Sequence, residues 1–155
     1  MASRSYTSLS HLHRDLSKII ADVGLTDVRD EIVRIWLEHQ AERVYDTYDP
    51  MRYERRADKG GLADPQNIET QISGAVTKEL YVTLENITTG ATDHVGKFIN
   101  DLIEGKQGFA GDPNFGMPPR PYTEFAIEEI QKNPIRLQKA IIKGFARHGI
   151  KVTVN

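Results

Sequence analysis

The stretch Tyr45-Asp-Thr-Tyr-Asp-Pro-Met-Arg-Tyr-Glu-Arg-Arg-Ala-Asp-Lys-Gly-Gly-Leu-Ala-Asp-Pro65 decides how the chain is organised. It follows a helical pattern and precedes two strand-like runs, yet carries the periodicity of neither. Tyr45, Tyr48 and Tyr53 sit with Arg52, Arg55 and Arg56 inside twelve residues, and Gly60-Gly61 then breaks the chain. A connection this long inside a compact domain is usually functional or disordered, and its aromatics argue against disorder. Tyr and Arg are enriched at protein interfaces because each offers a large apolar face with a polar end. The expectation is an extended docking loop over residues 45–67.

Upstream, Leu9, Leu12, Leu16, Ile19, Ile20 and Val23 recur by threes and fours, the spacing of one helical face. Thr7 or Ser8 can cap this helix, and Gly24 suits a left-handed residue after its end. Residues 1–24 are thus an N-terminal helix, packed on the body or folded on a neighbour as an arm. A second helix is expected from Thr26 or Asp27 to about Tyr45, with Val28, Ile32, Ile35, Trp36, Ala41 and Val44 on its apolar stripe. Pro50 cannot continue it.

Downstream, Ile68, Thr70 and Ile72 alternate with Glu69 and Gln71, the period of a strand with one buried face. Ser73-Gly74-Ala75 reads as a turn or bulge. Lys78 to Thr88 alternates again, with Leu80, Val82 and Leu84 on one face and Tyr81, Thr83 and Glu85 on the other. Antiparallel pairing of the two runs is the simplest arrangement. Residues 92–104 return to helical spacing, and 105–122 form a Gly- and Pro-rich loop. Thr123 can cap a final helical region, interrupted at Asn133-Pro134 and stopped by Gly149. Ile150 to Val154 could add one last strand. This order gives an α+β fold: a small, mainly antiparallel sheet packed by helices, a long loop after the second helix and a long C-terminal helix.

At 155 residues the chain is read as a single domain, 1–155, able to bury a core. A net charge of −2 argues against wholesale phosphate binding. The absence of cysteine excludes disulfides and thiolate metal sites. No apolar run approaches the ~20 residues needed to cross a bilayer, and the N-terminus has no signal-peptide core. The expectation is a soluble protein with no membrane partner.

No cofactor, metal or catalytic set is indicated. His11 and His13, two residues apart on a helix, point to different sides, and His39, His94 and His148 stand without a predicted acidic neighbour. The carboxylates Asp46, Asp49, Glu54, Asp58 and Asp64 lack the calcium-loop spacing and read as a solvated charge face. Gly60-Gly61 lacks the Lys-Ser/Thr of a phosphate loop and reads as a turn needing positive φ. Tyr45, Tyr48 and Tyr53 could instead cover their own sheet, and Pro118 to Pro121 could be a stiff connection.

Gly-Lys-Phe-Ile-Asn-Asp-Leu-Ile-Glu-Gly at 96–105, followed by Met-Pro-Pro-Arg-Pro-Tyr-Thr-Glu-Phe-Ala at 117–126, resembles the tail-completion, or head–tail joining, family of long-tailed bacteriophages. Members show a short helix ending in Glu-x-Gly, a variable loop, and a Pro-rich segment opening the last helix. Glu104-Gly105 and Pro118-Pro119-Arg120-Pro121-Tyr122 hold those places here, with Tyr122 for the usual Phe. Tyr48-x-Pro50-x-x-Tyr53-x-Arg55-Arg56 with Gly60-Gly61-Leu62 and Asp64 is similar to a segment of phage neck proteins. The resemblance covers about residues 26 to 150. Many members carry Arg-Thr-Gly-x-Leu where Gly60-Gly61-Leu62 stands.

What the resemblance implies is a virion structural protein of the neck, made in the host cytoplasm, with no catalysis. It would form a ring, commonly of six copies, that joins the capsid connector to the tail. Its partners would be copies of itself, a connector- or portal-side neck protein, and a tail terminator or tail tube protein. DNA would pass through without being gripped. Tyr45, Tyr48, Pro50, Tyr53, Arg55, Arg56, Gly60, Gly61, Leu62, Pro118, Pro119, Arg120, Pro121 and Tyr122 are the expected protein-interface residues. The alternative is a small nucleic-acid-binding factor using the Tyr- and Arg-rich segment 45–56 for stacking and phosphate contact.

Overall fold

The computed structural model describes residues 6–46, 56, 58–75, 79–88, 101, 103–104 and 119–153. Among them run α1 (Leu9–Val23), a π-helical turn (Gly24–Val28), α2 (Arg29–Gln40) and a second π-helical turn (Ala41–Tyr45). A short 3-10 turn (Pro65–Asn67), β1 (Ile68–Ala75), β2 (Glu79–Asn86), α3 (Tyr122–Lys132) and α4 (Ile135–Arg147) complete the order. The class is α+β, with β1 and β2 paired in one antiparallel sheet. Contacts divide the chain into two compact units that interleave in sequence. The first comprises Met1–Ile32, Thr70–Thr83 and Asn133–Asn155, and the second Val33–Glu69 and Leu84–Lys132.

In the first unit, the Ser8 side chain accepts the His11 N–H and caps α1, as expected. Gly24 does not end the helix: its φ is −63°, and the chain winds on through a π turn into α2. Neither Thr26 nor Asp27 is free to cap. The Thr26 hydroxyl donates back to the Asp22 carbonyl, and the Asp27 carboxylate is taken by Arg147 of α4. Local capping preference loses here to a charged partner supplied by tertiary structure. Ile19 and Val23 of α1 are buried, and Gly144 of α4 lies against Val23 and Asp27. Arg136 reaches Glu31 at 2.7 Å, and Arg29 donates to Thr70 at 3.0 Å.

Gly74 belongs to β1, not to a turn. At φ 101° it holds a conformation open mainly to glycine, and a Cβ there would clash with the Glu79 carbonyl oxygen. Tyr81 and Thr83 are exposed while Val82 is half-buried, the alternation expected of β2. Residues 150–153 form no strand. Gly149 takes φ 75° just past α4, where its N–H closes the last turn onto Ala146.

In the second unit, Val33, Ile35, Trp36, Val44, Ile68, Tyr122 and Ala126 form the buried apolar core. The Arg43 guanidinium stacks 3.3 Å from the Phe125 ring centroid, a geometry that suits a planar cation. Asp101 and Ile103 are helical and Glu104 turns out of that helix; most of the expected 92–104 helix lies outside the described residues.

Candidate protein-interface site

The Pro-rich segment enters α3 through a set of contacts made by its own unit. Tyr122 is wholly buried, its ring 5.9 Å from that of Trp36. Its hydroxyl accepts a hydrogen bond from Gln40 Nε2 at 3.4 Å. Burial, and then the nearby Glu104 charge, push the phenol well above its ordinary value. Trp36 Nε1 donates to the Thr123 hydroxyl at 2.9 Å, so that oxygen faces the core and does not cap. Glu104 caps instead, its carboxylate accepting the Thr123 N–H at 3.1 Å. A carboxylate at the positive end of a helix is favourable by charge as well as by hydrogen bonding.

Arg120 ties both sequence-predicted docking segments to one base. Its N–H donates to the Ile103 carbonyl at 2.9 Å, next to the start of the 105–122 loop. Its guanidinium donates to the Val44 carbonyl at 3.4 Å, in the last turn before the 45–67 loop. Carbonyls in a final helical turn lack intrahelical donors, and a cation is the natural partner for them. Arg120 therefore holds the turn against its own chain. Tyr122, expected at an interface, is a core anchor instead, because no part of it reaches the surface.

The far end of the 45–67 loop is anchored the same way. Gly60 takes φ 76°, as its sequence context requires, and its N–H donates to Asp64 Oδ2 at 2.7 Å. Asp64 Oδ1 accepts the Gln66 N–H at 2.9 Å, capping the 3-10 turn that Pro65 opens. The Gly61 carbonyl accepts from both Asn67 Nδ2 and Thr88 Oγ1 at 3.0 Å, and the Leu62 carbonyl from Asn86 Nδ2 at 2.8 Å. Gly61 and Leu62 are thus stitched to residues at the start of β1 and the end of β2, and Gly60 to Asp64. Asp64→Ala leaves two backbone donors unpaired and is expected to cost about 1–2 kcal/mol. The check is a thermal melt, with a fall of roughly 2–8 °C; an unchanged midpoint would contradict this role.

Of the remaining expected interface residues, Tyr45 is half-buried at the end of the second π turn, Pro121 is half-buried, and Pro119 and Arg56 are exposed. Tyr48, Pro50, Tyr53, Arg55 and Pro118 lie outside the described residues. Asp64, expected in a solvated charge face, is instead an anchor that accepts two backbone N–H groups, and neither Gln40 nor Glu104 is expected as an anchor from sequence. Asp64 had a signal there, since an acidic residue directly before proline is a capping pair. Gln40 and Glu104 had none, because their partners stand 82 and 19 residues away.

Of the histidines expected to stand alone, His39 and His148 do not, and His94 lies outside the described residues. His39 Nε2 lies 2.8 Å from Glu129, and His148 Nε2 lies 2.7 Å from Asp22. Arg147 joins the second pair, with Nη2 at 2.6 Å from Asp22 and 2.8 Å from Asp27. The hydrogen bond from His148, and then Arg147, hold Asp22 below its ordinary value of 3.8. Arg147 does the same for Asp27. Carboxylates with depressed folded values stabilise fully above 3.8, and that contribution is lost as pH falls through their lower folded values. The difference in melting midpoint between wild type and Arg147→Gln is therefore expected to be constant above pH 3.8 and to shrink below it. A difference that grows on acidification would contradict the linkage.

Comparison with known proteins bears on the whole of this framework. The YomN family model matches residues 8–147. The chain belongs to the YomN family. The YomN match opens at Ser8, which caps α1, and closes at Arg147, which grips Asp22 and Asp27. It therefore takes in every described helix and both strands. A relative, the SPbeta prophage-derived protein YomN of Bacillus subtilis (strain 168), is 30% identical over 129 residues, covering 81% of this chain and 81% of its own length. This relationship supports a phage origin for the chain. No solved structure matches it.

Among the described residues no group of three or more His, Asp or Glu side chains is placed to hold a metal ion. No helix among them is long and apolar enough to cross a membrane.

Proposed function

We propose that this chain is a virion structural protein of the phage neck, which forms a ring joining the capsid connector to the tail. The observation that carries this reading is the Arg120–Val44 hydrogen bond, which brings the start of the 45–67 segment and the end of the 105–122 segment together. Two segments rich in Tyr, Arg and Pro, presented from one base, suit a protein that grips other chains. Holding the ends of both segments in place lowers the ordering cost of each docking event. A ring needs heterologous contacts, one patch meeting a different patch on the next copy. The phage-derived relative and the head–tail joining motifs at 96–105 and 117–126 favour the same role.

On this reading the role is architectural and not catalytic. The buried polar side chains Asn86, Thr88 and Glu104 bond backbone groups of loops and a helix start, which is scaffold work. The chain would act in the virion, with copies of itself, a connector-side neck protein and a tail-side protein as partners. Native mass measurement of the purified chain, together with a search for it in purified particles, tests this. The expected result is a closed multi-copy assembly and presence in the particle. A strict monomer absent from every particle would rule it out.

A further inference from the structure

Helices α3 and α4 each turn one unbroken stripe to solvent. On α4 the stripe is Ile135, Lys139, Ile142, Lys143 and Ala146, all exposed and spaced by fours, threes and sevens along one face. On α3 it is the exposed Glu124, Ile127 and Gln131 with the half-buried Glu128, on the same spacing. Ile135 and Ile142 remain 53% and 39% exposed and Ile127 50%, so each stripe has an uncovered apolar centre. The charges beside the isoleucines are Lys139 and Lys143 on α4 and Glu124 and Glu128 on α3, with Lys132 paired to Glu128 at the end of α3.

We propose that the α4 stripe of one copy seats on the α3 stripe of the next, making the copy-to-copy contact of the ring. Ile127 would lie between Ile135 and Ile142, with Lys139 and Lys143 facing Glu124 and Glu128. Ile135 and Ile142 are two turns apart, about 10.5 Å along the helix at 1.5 Å per residue, a gap that one isoleucine side chain fills. The charged pairs match in spacing, since Lys139 and Lys143 are four residues apart and so are Glu124 and Glu128. A like pairing of either stripe with itself would oppose equal charges, so the complementarity selects a heterologous contact. Within its own helix Glu128 is engaged only by Lys132, at 2.6 Å between side chains that are 45% and 75% exposed. Such a solvated pair is weak and is readily shared with a neighbour. This assignment rests on the ring reading above, and goes beyond it by naming the surface.

Charge reversal on each stripe tests it in the full chain. Lys139→Glu with Lys143→Glu, and separately Glu124→Lys with Glu128→Lys, are expected to keep the far-UV circular dichroism of the wild type. Each variant alone should weaken self-association by about tenfold or more, because every contact then opposes like charges. Mixed in equal amounts, the two variants should assemble again, alternating around a ring with an even number of chains. Ile127→Ser, which changes no charge, should weaken assembly too. If the wild type assembles and all three variants assemble as well as it does, this surface is wrong while the ring reading stands. A wild type that stays monomeric at every concentration overturns both. Binding of duplex DNA at low salt that Lys139→Glu with Lys143→Glu abolishes, with assembly unchanged, would assign the α4 stripe to phosphate and overturn the proposal.

Discussion

Replacing Tyr122 with alanine is expected to lower the unfolding free energy by about 3–5 kcal/mol, the range for removing a large aromatic from a packed core. The ring is wholly buried and stacks beside Trp36, so the vacated space has little means of collapsing. The loss also strands Gln40, itself wholly buried, whose amide gives its hydrogen bond to the Tyr122 hydroxyl. Tyr122→Phe keeps the ring and removes only that acceptor, and should cost about 1–2 kcal/mol. Urea titration separates the two: both midpoints fall, alanine's by much the more, with the slope unchanged if the unfolding remains two-state. If alanine cost no more than phenylalanine, the ring would not be the anchor that its burial implies. The consequence reaches beyond stability, because Arg120 and Thr123 flank Tyr122 and fix the base of the 105–122 segment.

Gly144→Val should be the second large effect, at about 2–3 kcal/mol, with Gly144→Ala milder. Glycine inside a helix ordinarily gains about 1 kcal/mol on conversion to alanine. Here the space opposes that gain. A Cβ on Gly144 would meet Val23 Cγ1 at 2.7 Å and Asp27 Oδ2 at 2.8 Å. Val23 is a stiff, buried β-branched residue, and Asp27 is held by Arg147. Neither neighbour is a loose chain end that can swing aside, so α4 must move off α1. Thermal melts of the alanine and valine variants should fall in that order. A midpoint raised by alanine would show that the two helices part cheaply.

Much of the secondary structure was legible because it depends on neighbours in sequence. The threes and fours of Leu9 to Val23 give α1, and the alternation at Ile68–Gln71 and again from Tyr81 to Glu85 gives the hairpin. Gly60 was read as a positive-φ turn, and it is one, because little but glycine tolerates that backbone. The errors fall where distant residues intervene. Gly24 looked like a stop, yet the helix passes through it, since Arg147 draws in Asp22 and Asp27 from either side of that turn. Thr123 looked like a cap, but its hydroxyl is claimed by Trp36 from 87 residues away.

The two segments expected to dock show the same division. Their composition marked them as unusual, and that is a property of the chain alone. Which of their residues are anchors and which remain available is decided by burial and by hydrogen bonds of long sequence separation. Tyr122 went to the core, and Arg120 to the Val44 carbonyl.

By itself, then, the sequence determined the class of fold, the helices and strands with a local period, the Gly60 turn and the two segments of interface composition. Only the tertiary structure decided the winding of α1 into α2, the partners of His39 and His148, the capping of α3 by Glu104 and the fate of Tyr122. The physical reason is range. Backbone propensity and side-chain period act over a few residues, whereas a buried polar group takes whatever partner the folded chain brings within about 3 Å, however far off in sequence.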